Sequence, residues 1–195
     1  ACSAPLLLFL NDDVEAAGEG WLRELVFQVT RADIGIAGAK LLYPSGLLQH
    51  AGINIGVCGP CVNAFARCEP DQLAFRAWNP AETVRNVAAV TGACLITHRD
   101  LFLRLGGFDE QRFPVAYNDV DYCLRVLQQE QRIVYTPRAV LFHHEAYSKP
   151  LSLAHAHPRE VAAFESRWSA FLQHDPYYNP NLTRSSPGWK IDDEL

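Results

Sequence analysis

An unbroken apolar run, Leu6 to Leu10, stops abruptly at Asn11-Asp12-Asp13. This junction constrains the fold more than any other feature of the chain. Apolar residues without polar alternation read as a strand buried on both faces, and such strands belong to sheets covered by helices. In open α/β sheets, ligands bind beyond the carboxyl ends of strands. Two adjacent carboxylates there can hold a hard cation through oxygen. The competing reading is local, because Asp and Asn also favour turns and helix N-caps.

The rest of the pattern supports alternating elements. Trp21, Leu22, Leu25, Val26 and Val29 fall at helical spacing. Ile34 to Leu42 reads as a strand, Tyr43-Pro44-Ser45-Gly46 as a turn, and Leu47 to Val57 as a returning strand, so a hairpin is expected. Residues 58 to 82 lack periodicity and read as a long surface loop. Val87 to Thr97 is an apolar strand interrupted by Gly92, and Arg99 to Leu105 a short helix ended by Gly106-Gly107. Asp119 to Gln129 places Val120, Cys123, Leu124 and Leu127 on one helix face, and Ile133 to Tyr135 and Ala139 to Phe142 are short strands. Pro158 to Leu172 is a last helix with Pro in its first turn, followed by an extended tail from His174. The class is α/β with a mixed sheet flanked by helices. Residues 1–150 and 151–195 read as two parts of one domain, the second being the C-terminal helix and tail.

Charge narrows the function. Acidic residues outnumber basic ones 22 to 17, a net charge of −5, which argues against a nucleic-acid partner that needs a basic face. A negatively charged ligand is still accessible through a bound cation. The run Pro5 to Leu10 is far too short to cross a bilayer, and six scattered cysteines point to a reducing compartment rather than a disulfide scaffold. The chain holds no Met, so Ala1 is expected to be an internal residue of a longer protein.

Two further clusters carry chemistry. Asn118-Asp119-Val120-Asp121 opens a helix. Asp119 there could cap the helix or serve as a general base toward a substrate hydroxyl, and the helix N-terminus favours its ionised form. Asp121 and Arg125 are four apart, the spacing of an ion pair on the helix surface. His143-His144-Glu145 follows a strand, and imidazole is a common metal ligand. Cys58-Gly59-Pro60-Cys61 spells a redox motif, but redox chemistry wants it at a strand-to-helix junction, and zinc binding with Cys68 lacks a fourth ligand. These are read as loop cysteines. His155-Ala156-His157 reads as a solvated cap, and the Asn181-Leu182-Thr183 sequon is silent in a cytoplasmic protein.

These clusters lie among others in a fixed order. Leu10-Asn11-Asp12-Asp13-Val14-Glu15, Gly38 to Pro44, Gln49-His50-Ala51-Gly52, Val90 to Cys94, Gly106-Gly107-Phe108-Asp109-Glu110, Asn118 to Arg125 and His143-His144-Glu145 follow one another along nearly the whole chain. The order resembles the family 2 glycosyltransferases with the GT-A fold, especially the bacterial rhamnosyl- and galactofuranosyl-type enzymes. The resemblance implies a partial GT-A fold, with about the first hundred residues of such a domain, its nucleotide-binding part, absent. It implies that Asn11-Asp12-Asp13 is the DXD-type motif, with Asp13 a ligand of Mn or Mg and Asp12 near the nucleotide or sugar. It makes Asp119 the catalytic base; the family often has Glu before it, where this chain has Asn118. His143 or His144 matches a late metal-binding His, and Gly92, Ala93 and Asp121 would line the acceptor side. The implied activity is inverting, metal-dependent transfer of a hexosyl or rhamnosyl group from a nucleotide-diphosphate donor to a glycan or lipid-linked acceptor. It would serve cell-envelope polysaccharide biosynthesis, in the cytoplasm or at the periphery of the inner membrane face. Two rival readings use the same groups: a metal-dependent hydrolase of nucleotide sugars, and a fragment that folds without catalysing.

Overall fold

The computed structural model describes residues 3–68, 79–144 and 157–191. In chain order the elements are β1 (Leu6–Leu10), β2 (Val14–Ala16), α1 (Trp21–Val29), β3 (Ile34–Leu42), β4 (Leu48–His50), β5 (Ile53–Ile55), β6 (Cys61–Asn63), β7 (Arg85–Asn86), β8 (Cys94–His98), α2 (Arg99–Arg104), α3 (Asn118–Leu127), β9 (Arg132–His143), α4 (Pro158–Arg167) and α5 (Ser169–Gln173). The main sheet runs β1-β8-β3-β9-β2, with β4 added to β3 and β7 to β9. β3 and β9 are parallel, while every other pair in it is antiparallel. The mixed α/β architecture read from the sequence is the observed one.

β3 is the spine, and its side chains alternate between two cores, as a strand's must. Ala37, Ala39 and Leu41 face α1, whose Leu25 and Val29 are fully buried. Each of those two side chains stabilises the fold by about 1.5–3 kcal/mol through the apolar area it removes from water. On the other face, Ile36 joins the larger core with Val120, Leu124 and Val126 of α3. Helix and strand approach closely here because β3 carries glycine. A Cβ on Gly35 would lie 2.6 Å from Val126 Cγ1, and one on Gly38 2.6 Å from Val90 Cβ.

Several sequence expectations are corrected. β1 is half-buried rather than buried on both faces, because it is an edge strand paired only with β8 among the described residues. The return strand 47–57 splits at Gly52, whose φ of 87° turns the chain out of the main sheet. Its second piece, β5, then pairs with β6 in a separate hairpin. Much of the expected surface loop is therefore interior, with Val62, Ala64 and Phe65 buried; residues 69–78 lie outside the described ones. The strand expected over 87–97 begins only at Cys94. The two short strands at 133–135 and 139–142 are one strand, β9, with a register shift after Thr136 that absorbs Pro137. The last helix breaks at Trp168 into α4 and α5.

The tail is packed rather than extended. Tyr178, Leu182 and Trp189 are buried in the same core as Phe164 and Trp168. Asp175 accepts hydrogen bonds from the Ile55 and Tyr177 N–H groups, both at 2.8 Å. Among the described residues no helix is long and apolar enough to cross a membrane.

Candidate functional site

The Asn11-Asp12-Asp13 segment is the connection between opposite edges of the sheet. It leaves β1 at one edge and enters β2, which pairs with β9 at the other. All three side chains are exposed. The segment is tied at both ends by backbone: Asn11 N–H donates to the Ala93 carbonyl (3.1 Å), and His144 N–H to the Asp13 carbonyl (2.9 Å). The second bond, with the Val14–His143 register, brings these two distant stretches of sequence side by side.

His143 is buried and its ring is oriented from both sides. Nδ1 lies 2.8 Å from Gln49 Oε1. A carbonyl oxygen only accepts, so Nδ1 carries the proton of the neutral ring and Nε2 presents a lone pair. That lone pair lies 3.0 Å from Asp13 Oδ1 and 3.3 Å from Asn11 Nδ2, which can donate to it. An imidazole nitrogen and a carboxylate oxygen facing each other at this distance can share a positive charge, supplied by a proton or by a bound cation. Two neighbouring ligands of an octahedral cation with bonds of about 2.1 Å stand about 3 Å apart, so the pair fits a divalent metal such as Mg or Mn. Among the described residues no group of three or more His, Cys, Asp or Glu could hold a metal ion. Among the described residues Asp13 and His143 are thus a facing pair rather than a complete ligand set.

His144 is not part of this pair. Successive strand residues face opposite sides, and its ring turns outward to Glu15 at 3.2 Å. Of the two histidines expected as alternatives for a metal, His143 and not His144 is brought to Asp13; Glu145 lies outside the described residues. Gln49, which orients His143, had no role in the sequence reading. No periodic signal could have found it, because its partner is 94 residues away.

Asp119 sits at the second position of α3, half-buried, on the other side of the Ala93 contact. Its Oδ2 accepts the Gly92 N–H at 2.7 Å and its Oδ1 the Val120 N–H at 2.8 Å. Burial pushes the Asp119 carboxyl above the usual range, and the N–H groups of Gly92 and Val120 only partly pull it back. The expectation that the helix N-terminus would favour its ionised form is thus outweighed by burial. Glycine at 92 permits the contact, since a Cβ there would press to 3.3 Å from Asp119 Cβ. Loop 91–93 therefore joins the two clusters: Gly92 holds Asp119, and Ala93 holds Asn11.

Asp121, expected on the acceptor side and paired on the helix surface, is corrected on both counts. It is fully buried, and it accepts from Arg125 Nε at 2.8 Å and Trp168 Nε1 at 3.0 Å, with Arg167 Nη1 at 3.3 Å. Two positions beyond Asp119 on a helix is nearly the opposite face. Arg125 in turn donates to the Leu105 and Gly107 carbonyls, both at 2.7 Å, fastening the Gly106-Gly107 turn to α3. A cleft of about 690 Å³ beside this network is lined by Phe9, Phe102 and Phe108, but not by Asp13, Asp119 or His143.

The cysteine motif forms the turn of the β5–β6 hairpin rather than following a hairpin. Burial raises the Cys61 thiol, with the Asp119 carboxylate adding to the effect, and burial raises Cys58. Thiols held protonated are poor nucleophiles and poor metal ligands. His50, from the same motif as Gln49, is buried; its Nδ1 meets Asn63 Oδ1 at 2.7 Å, and its Nε2 accepts the Gly52 N–H at 3.2 Å. Burial depresses its pKa to about 4.

No protein-family model matches the chain. It is similar to the O-antigen biosynthesis protein RfbC of Myxococcus xanthus, with 41% identity over 93% of the chain and 14% of that protein. An uncharacterized protein of Sinorhizobium fredii, y4gI, is 36% identical over 97% of the chain and 22% of its own length. An N-acetylglucosaminyl-diphospho-decaprenol L-rhamnosyltransferase of Mycobacterium tuberculosis is 33% identical over 63% of the chain and 40% of its own length. The chain thus spans well under half the length of these relatives. Among solved structures, GalNAc-T7 with UDP, GalNAc and Mn2+ superposes with a TM-score of 0.59 at 12% identity, over 87% of the chain and 32% of that structure. At that identity the match speaks to the fold alone.

Proposed function

The chain is a segment of a family 2-like glycosyltransferase domain with the GT-A fold, and from that premise we propose that its parent protein moves a sugar from a nucleotide-diphosphate donor to a glycan or lipid-linked hydroxyl with inversion. Polysaccharide assembly is the setting that the relatives' names support. The rhamnosyltransferase name favours a lipid-linked acceptor and a rhamnosyl or related hexosyl donor; a location in the cytoplasm or at the periphery of the inner membrane face belongs to the same proposal.

One observation carries the reading. A half-exposed carboxylate with raised proton affinity, Asp119, and a facing Asp13–His143 pair hang on the same loop through Gly92 and Ala93. Asp119 takes the proton of the acceptor hydroxyl as that oxygen attacks the anomeric carbon. The bond from that carbon to the diphosphate oxygen breaks on the opposite face, which inverts the centre. A carboxylate whose pKa lies above the ordinary Asp value is the stronger base, provided that it is ionised at the working pH. The Gly92 and Val120 N–H groups hold it in place, and in this reading Gly92 and Ala93 border the acceptor side. Asp13 and His143 would hold the divalent cation, with Gln49 steadying the imidazole through Nδ1 and Asp12 close to the nucleotide or sugar. The cation would supply neutralisation of the negative charge that develops on the diphosphate.

The test is a panel of nucleotide sugars presented to the full-length parent protein, reading released nucleoside diphosphate with and without glycan or lipid-linked acceptors. Release from one donor that rises with one acceptor class is the expected result. Release that is independent of every acceptor would assign the site to hydrolysis instead, and no release from any donor would count against both.

A further inference from the structure

The turn that delivers Asp119 is held from outside its own element. Val115 and Ala116 come just before Tyr117, the residue that leads into α3, and both of their N–H groups donate to one oxygen of Glu160, at 3.0 and 2.7 Å. Glu160 lies on α4, is 7% exposed, and has its other oxygen 3.3 Å from His157 Nδ1. Four residues further along the same face of α4, the fully buried Phe164 stacks on Tyr117, with ring centroids 4.9 Å apart and planes at 28°. Tyr117 is the residue before α3, and it takes a left-handed φ of 64°. For a bulky aromatic residue that conformation is unfavourable and persists only where the surroundings impose it. Its carbonyl accepts the Asp121 N–H at 2.8 Å and so starts the helix.

The use made of Glu160 departs from its local default. A Glu at the third position of a helix ordinarily reaches back to the backbone N–H of its own N-cap residue. Here one oxygen is committed to two N–H groups 44 and 45 residues away in sequence. Asp119 is thereby supported twice: loop 91–93 fixes its carboxylate through Gly92, and α4 fixes the backbone that enters its helix.

We infer that Glu160, with Phe164 on the same face of α4, is a positioning residue that sets where Asp119 meets the acceptor hydroxyl. The inference rests on the reading of Asp119 as the base. Displacing a catalytic group by about 1 Å can cost about a hundredfold in rate, so a change confined to α4 reaches the chemistry without touching donor or acceptor.

The experiment uses the full-length parent protein and measures kcat and donor KM for Glu160→Ala, Glu160→Asp, Glu160→Gln and Asp119→Asn. Glu160→Ala strands two N–H groups and is expected to lower kcat by about tenfold to a hundredfold with donor KM nearly unchanged, the mark of a loss felt in the transition state. Glu160→Asp draws the carboxylate back by one methylene and should give a smaller loss of the same kind, which keeps the test open if Glu160→Ala does not fold. Glu160→Gln retains an acceptor oxygen and should restore most of kcat. An inactive Asp119→Asn beside Glu160→Ala or Glu160→Asp of unchanged kcat, or of raised donor KM alone, would overturn the positioning role and leave the base assignment standing. Near-normal turnover in Asp119→Asn would overturn the base assignment and the inference with it.

Discussion

The two carboxylates of α3 should fail in opposite ways when each is made an amide. Asp119→Asn keeps the size of the side chain and one acceptor oxygen for the two N–H donors that now bond it, at 2.7 and 2.8 Å. One of those bonds is lost, at about 0.5–1.5 kcal/mol, while the penalty of half-burying a charge disappears. Stability should therefore change by no more than about 1 kcal/mol. Turnover should fall by about two to four orders of magnitude, the usual worth of a general base. Asp121→Asn is the reverse case. The native carboxylate is fully buried, bonds Arg125 and Trp168 at 2.8 and 3.0 Å, and lies 3.3 Å from Arg167. An amide carries no charge to balance Arg125 and aims an N–H at other donors, and breaking a buried pair costs about 3–5 kcal/mol. In a chain of this size that lowers Tm by about 6–20 °C. The assay pairs thermal unfolding of this chain with turnover of the full-length parent. Near-normal turnover in Asp119→Asn refutes the base assignment. A fully stable, inactive Asp121→Asn refutes the structural role given to Asp121 and exchanges the two.

Three further outcomes are expected. Gln49→Leu removes the acceptor that fixes the His143 ring, so Mn or Mg affinity measured by titration of the full-length protein should weaken about 10- to 100-fold, while His144→Ala should leave it unchanged. The acid limb of the kcat profile should lie at higher pH than for an ordinary Asp, because activity is lost as pH falls through the pKa of Asp119 and burial raises that pKa; Asp119→Glu should move this limb, and a limb that does not respond would assign it to another group. His50 stays neutral in the fold down to a pKa of about 4, against 6.5 for the free side chain. The unfolded chain therefore binds a proton that the folded one refuses, and stability should be lost as pH falls from about 6.5 to 4, by about 3 kcal/mol in all at 1.36 kcal/mol per unit. Urea unfolding at several pH values would show this, and His50→Gln should flatten that part of the curve.

The candidate site was legible to different depths. The Asn11-Asp12-Asp13 motif, the Asp119 helix start and the histidines at 143 and 144 announce themselves because ligand-type residues end apolar runs. Which of two adjacent histidines, or of two carboxylates in one helical turn, faces the site cannot be read that way. The choice turned on a strand's alternation for His143 and on a half-turn of helix for Asp119 and Asp121. The sequence expectation went wrong for Asp121, because a surface ion pair and a buried one share the same spacing.

Local chemistry determined the elements: the apolar run of β1, the continuous β3, the stripe of α1 and the turn at Tyr43–Gly46 all follow from patterns within a few residues. Side-chain periodicity and turn residues act at that range, so neighbours in sequence suffice. Only the tertiary structure decided how the elements meet. The break at Gly52 moved β5 into its own hairpin, the shift after Thr136 let two strands become β9, and the pairing of β2 with β9 set Asp13 against His143. The support given to α3 by Glu160 and Phe164, and to His143 by Gln49, is of the same kind. Each joins residues dozens of positions apart, whose meeting depends on the packing of two cores on one sheet, and no window along the chain contains that information.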